Sequence, residues 1–280
     1  RPIDRNLLLL GVYLCGAVVA LAVNAFTGQA WSAGAWIGVN MGLFSFISNA
    51  SMYRGFAVGR ASLVAMFTGL PPVIVVLLAY LLWNEKLNMW QSLSFLVIIS
   101  GLLLIRYSSD ISWRNLKGAG WGALAMLGFG ITDLSSKQAA RLGAETLPTL
   151  TLMYVTGTLL FGAAWYISQR RQQAVRSLVA AASETNASGS AGAAGAPAPW
   201  KAGRTLLWGM AVGLTNISGM MLVMPAFKLG VTGLVSVVIA MNVVLVLLYA
   251  RFVLKERFSR MEACGLACAF IGILILRLAG

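Results

Sequence analysis

Nine stretches of this chain are each apolar for the length of a bilayer crossing, and that one feature leaves few folds open. They are Leu7–Phe26, Ala33–Met52, Ala61–Trp83, Met89–Ile105, Gly118–Ser136, Leu147–Ile167, Leu206–Phe227, Thr232–Leu254 and Met261–Leu276. A hydrocarbon core of about 30 Å needs about 20 residues in helical form. In lipid the backbone must satisfy its own hydrogen bonds, so each stretch is predicted to be a helix despite its β-branched residues. A strand reading of runs such as Val73–Val76 fails on length. The chain reads as an all-α, polytopic membrane protein with the lipid bilayer as its surroundings.

The charged residues agree. They make up 10% of the chain, against about 25% in soluble domains. A net charge of +13 would suggest nucleic acid in a soluble protein. Here Lys and Arg punctuate the apolar runs as membrane loops do, so no nucleic-acid partner is expected. There is no His and no Gly-Lys-Ser/Thr run, so neither a histidine metal site nor an ATP-cradling loop is expected. No metal and no cofactor are assigned. Cys15, Cys264 and Cys268 include no Cys-x-x-Cys pair and read as small apolar residues inside spans.

One segment breaks the pattern. From Gln169 to Arg204 the sequence turns polar, with SETNASGSAGAAGAPAPW at its centre. Gly, Ser, Ala and Pro at that density predict a disordered linker over 169–203. Arg170, Arg171 and Arg176 precede its centre as a membrane-proximal basic cluster.

Sliding the chain against itself by 171 residues aligns Asn40–Arg106 with Ala211–Arg277, with 14 identities in 67 positions. They include Gly42/Gly213, Phe56/Phe227, Gly59/Gly230, Glu85/Glu256, Gly101/Gly272 and Arg106/Arg277. Apolar matches come cheaply in membrane helices, but matched Gly, Glu and Arg do not. Leu147–Ile167 then corresponds to Leu7–Phe26, and the Gly118–Ser136 helix has no counterpart. A five-helix unit restores the symmetry if a first helix precedes Arg1. An odd number of helices per unit makes the two copies face opposite ways across the bilayer, as in secondary transporters. The units are 1–108, with four helices present, and 116–280, with five.

At these residues the sequence resembles the drug/metabolite transporter superfamily, specifically its EamA-type ten-helix permeases. Each repeat has a similar entry (Gly59-Arg-Ala-Ser-Leu-Val64; Gly230-Val-Thr-Gly-Leu-Val235), then a long apolar helix. An acidic–basic turn (Glu85-Lys86; Glu256-Arg257) and a closing helix with a late glycine follow. Gly130-Ile-Thr-Asp-Leu-Ser-Ser-Lys137 resembles the end of that family's unit-opening helix. The resemblance implies two inverted repeats of five helices, nine present here. It also implies export of small organic solutes such as metabolites, amino acids or drugs, often in exchange for protons. A non-transporting membrane scaffold is one alternative. A membrane-embedded enzyme is another, disfavoured because it needs clustered acids, His or Cys at a membrane face.

Alternate connections hold 16 and 5 of the 21 Lys and Arg residues. The positive-inside rule places the rich set, including the linker, in the cytoplasm of a cell-membrane protein. Relatives of EamA type more often have cytoplasmic termini, which would reverse this.

Asp133 is the one acid within a predicted span, which makes it a candidate for proton or cation binding. The plainer reading is a salt bridge to Lys137, four residues on. Asn40, Asn49, Asn216 and Asn242 offer donors and acceptors to a solute, or staple helices together. Tyr13, Tyr53, Tyr154 and Trp208 lie deep in their spans, facing either a solute or a neighbouring helix. The other tryptophans suit an interfacial belt. Pro71 and Pro72 align with Asn242-Val243 and are either a hinge or a packing irregularity. Glu85 and Glu256 read as structural, paired with Lys86 and Arg257. Gly38–Gly42, Gly118–Gly122 and Gly209–Gly213 allow close helix approach, within the chain or across a homodimer.

Overall fold

The computed structural model describes residues 3–106, 116–185, 200–253, 255 and 259–279. Among them the chain is helical, with no strand. The helices are α1 (Arg5–Thr27), α2 (Ile37–Val58), α3 (Ala61–Thr68), α4 (Pro71–Trp83), α5 (Met89–Arg106) and α6 (Ala119–Arg141). They continue as α7 (Thr146–Thr185), α8 (Ala202–Leu229), α9 (Thr232–Ala240), α10 (Asn242–Phe252) and α11 (Arg260–Ala279). Taking α3–α4 and α9–α10 as interrupted rods, seven of the nine are long and apolar enough to cross a membrane. The exceptions are α2 and α6, which carry serine, threonine and amide side chains along their length. They pack against each other, with Gly128 of α6 giving room to Ser48 of α2.

Two predicted spans stand as crossings but are interrupted. Ala61–Trp83 and Thr232–Leu254 were each expected as one helix, kinked at most. Each is two half-helices, broken at Gly69–Leu70 and at Met241. Leu70 and Met241 are aligned positions of the two repeats, so the break belongs to the duplicated unit. Pro71 and Pro72 open α4, where a missing N–H costs nothing because the first turn has no intrahelical acceptor. The freed carbonyls of α3 find partners: Met66 and Phe67 accept from Gly69 and Leu70, and Ala65 accepts from the Arg106 guanidinium at 2.5 Å.

A correction concerns the linker. α7 runs on as helix to Thr185, because Gln169–Thr185 holds Gln, Arg, Ala and Leu with no Gly or Pro. Residues 186–199, Glu256 and Arg257 lie outside the described residues.

Glycine decides where helices meet. Gly265 and Gly101 let α11 and α5 cross closely, and a Cβ on Gly265 would lie 2.6 Å from the Gly101 carbonyl. Ser94 Oγ, one face along, donates to the Gly272 carbonyl at 2.6 Å. Gly265→Leu is therefore expected to destabilise the α5–α11 pair by about 1–3 kcal/mol, the usual cost of overpacking. A lowered midpoint in a thermal melt of the purified protein would register it. The three small-residue pairs of the sequence are likewise occupied within the chain. Gly38 and Gly42 meet α7, Gly209 and Gly213 meet α1, Gly118 meets Gly59 and Gly122 meets Phe67.

Candidate functional site

Helices α2 and α7 meet at one end of the molecule and line a vestibule at the other. We call these the far end, which holds Thr27, Arg141 and Leu229, and the linker end, which holds Val58, Gln169 and Ala202. Toward the far end, Gly38 abuts the Thr149 carbonyl, and a Cβ on Gly42 would stand 2.5 Å from the Met153 carbonyl. At the linker end the same two helices line opposite walls of a vestibule of about 940 Å³, among them Tyr53, Arg54, Phe161 and Gln169. Asp4 caps α1 there, accepting from the Asn6 and Leu7 amides at 3.1 and 3.2 Å. Arg5 lies over the Tyr53 ring, 5.4 Å from its centroid.

Leu9 and Tyr53 are shared between this vestibule and a deeper cavity of about 360 Å³. Tyr13, Asn49, Thr132, Asp133, Asn216 and Met220 are among its walls. Phe129 and Asp133 are shared in turn with a third cavity, of about 240 Å³, at the two helix breaks. Thr68, Pro71, Arg106, Ser236 and Asn242 line that one. Asp133 thus belongs to both inner cavities.

The salt-bridge alternative for Asp133 does not hold. Its Oδ2 accepts from Ser236 Oγ of α9 at 2.6 Å. Lys137, one turn on, is drawn to the far end, where its Nζ donates to the Gly230 carbonyl at 2.8 Å and lies 3.6 Å from Glu85 Oε1. The i, i+4 spacing allowed the local pair, but a carboxylate and a backbone carbonyl from other elements hold the Lys137 ammonium instead. Glu85 consequently pairs with Lys137 and not with its neighbour Lys86.

The asparagines separate. Asn49 donates to the Ser45 carbonyl of its own helix at 2.8 Å and lines the central cavity. Asn216 lines it too, and its Oδ1 accepts from Tyr154 Oη at 2.7 Å, which leaves its amide hydrogens for the cavity. Asn242 lines the third cavity from the first turn of α10. Asn40 is exposed and lines none of the three. Tyr154 is fully buried behind Asn216, so it supports the wall without forming it. Trp208 is 52% exposed and lines none of these cavities.

Two tyrosines mark the junction of the repeats. Tyr13 Oη and Ser45 Oγ are hydrogen-bonded, and Tyr154 bonds Asn216. Ser45 and Asn216 are aligned by the 171-residue shift. Tyr13-Leu-Cys-Gly16 and Tyr154-Val-Thr-Gly157 align at the shorter shift of 141, because the second repeat carries the longer connection between these helices. The rings lie 5.7 Å apart, and each packs on the other repeat's glycine, Tyr13 on Gly157 and Tyr154 on Gly16.

Among the described residues no group of three or more His, Cys, Asp or Glu is placed to hold a metal. Ser236, which the sequence gave no reason to single out, is the hydrogen-bond partner that the structure adds to Asp133.

Comparison with known proteins agrees with the repeats. Twenty-nine chains of solved structures match. One crystal structure superposes with a TM-score of 0.72 at 16% identity, covering 99% of this chain and 89% of that one, and so shares its fold. No curated protein matches the chain. The EamA-like transporter family model matches residues 3–107 and 116–278. With two matched repeats of helices around a set of cavities inside the membrane span, the chain belongs to the EamA-like transporter family.

Proposed function

We propose that this membrane transporter of small solutes works as a secondary transporter by alternating access, exporting metabolites, amino acids or drugs in exchange for protons. One observation carries the reading. The two inner cavities meet at Asp133, an ionisable side chain inside the span, and the central one shares Leu9 and Tyr53 with the wide vestibule at the linker end. Inverted repeats supply the second state, since exchanging the conformations of the two units turns the opening to the opposite face. The wide end carries the Lys- and Arg-rich connections, which the positive-inside rule puts in the cytoplasm. In this state a cytoplasmic solute has access to Asn49, Asn216 and Asp133.

A carboxylate within the span is costly to keep charged and is the natural carrier of a coupling proton. The third cavity, with Asn242 and the helix breaks at Gly69–Leu70 and Met241, gives the bend about which α4 and α10 swing. Proteoliposomes holding a pH dye test this directly. Amino acids, sugars and cationic drugs are added in turn, and at least one is expected to drive proton movement above protein-free vesicles. Solute exchange with no proton movement would reduce the protein to a uniporter or exchanger. No movement of either kind across the panel would favour the scaffold.

A further inference from the structure

We propose that Glu85, Lys137 and the α8–α9 junction form the gate that shuts the cavities at the far end. Breaking the Glu85–Lys137 pair then opens a route to that face. The inference rests on the alternating-access reading and adds the residues that hold one face closed.

Three elements meet at this point: the α4–α5 connection with Glu85, α6 with Lys137, and the junction at Gly230–Thr232. Glu85 Oε2 accepts from the Thr232 amide, the first of α9, at 3.0 Å. Lys137 Nζ donates to the Gly230 carbonyl at the end of α8. A helix N-terminus is partially positive and a C-terminus partially negative. The acid therefore meets the start of one helix and the base the end of the other, while the two side chains neutralise each other. Their exposures are only 19% and 12%, so neither charge has water enough to stand alone. Removing one partner of such a pair strands the other, and admitting water is the relief.

The clasp joins the first repeat to the second, which a gate between moving halves must do. It has a companion. Gln29 Oε1, in the α1–α2 connection, accepts from the Leu147 amide in the first turn of α7 at 2.7 Å. In both cases a connection of the first repeat caps a helix of the second at the far end. Both lie in the far-end part of the bundle, near the close approach of Gly38 to α7.

The test needs no known solute. Met220→Cys, in the central cavity, is placed in a chain bearing Cys15→Ala, Cys264→Ala and Cys268→Ala. A membrane-impermeant maleimide is applied to whole cells and to inverted vesicles, with Ala30→Cys marking the far face. With the gate intact, labelling is expected from the linker-end face only. Lys137→Met or Glu85→Gln should raise labelling from the far face at least tenfold, and Lys137→Arg should not. Glu85→Gln keeps an acceptor for Thr232 and serves if Lys137→Met fails to fold. Far-face labelling that is unchanged in both variants, or already present with the pair intact, overturns the gate. A chain that opens in this assay yet moves no solute would retire the transport reading and leave the gate standing.

Discussion

Asp133→Asn is expected to reduce solute-linked proton movement to the level of protein-free vesicles while the protein remains folded in the membrane. The substitution is nearly isosteric, and the amide oxygen can still accept from Ser236 Oγ, which now lies 2.6 Å from Oδ2. Only the capacity to take up and release a proton is lost. Asp133→Ala would also strand the buried Ser236 hydroxyl, which adds about 1–3 kcal/mol of instability to the same defect. Comparing the two separates coupling from support. The readout is the internal pH dye, with size-exclusion behaviour and a thermal melt as folding controls. Coupling that survives in Asp133→Asn would return the carboxylate to a structural role beside α9.

Gly157→Leu is expected to be the most damaging change at the junction of the repeats. A side chain there lands on the Tyr13 ring, which cannot retreat, because Phe161 lies 5.1 Å away, ring to ring, and Ser45 holds its hydroxyl. Overpacking costs about 1–3 kcal/mol, and losing the buried Tyr13–Ser45 bond adds about 1–3 more. Gly16→Leu should do the same through Tyr154. The two tyrosines make the defect repairable, since Tyr13→Leu makes room for a small side chain at 157. Gly157→Ala with Tyr13→Leu should therefore melt higher than the sum of the single changes foretells. Additive losses would mean that the ring and the glycine do not share one space.

The span pattern and the repeat were legible because both rest on repeated local signals: apolar length for the helices, and matched Gly, Glu and Arg for the duplication. The helix breaks were half legible. Pro71-Pro72 announced one of them, but Ala240-Met241-Asn242 differs little in composition from an unbroken helix, and only alignment with the first break singles it out. Asp133 and the cavity asparagines stood out because polar groups are rare in lipid. Their partners did not. Ser236 and Glu85 lie 103 and 52 positions from Asp133 and Lys137, and a spacing rule confined to one helix favours the neighbour four residues away. The tyrosine pair escaped the 171-residue shift because connections of unequal length move it to 141.

The duplication is not perfect, and the flaw sits at Arg106. Its guanidinium holds the Ala65 carbonyl, while Arg277, its aligned partner, is exposed. A hydrogen bond from a charged donor contributes about 1.5–3 kcal/mol. Two facing states that exchange the roles of the repeats would balance only if the repeats were energetically equal. An inequality of that size favours one of them by tenfold or more. On the proposed alternating-access cycle, the protein therefore rests preferentially on one face.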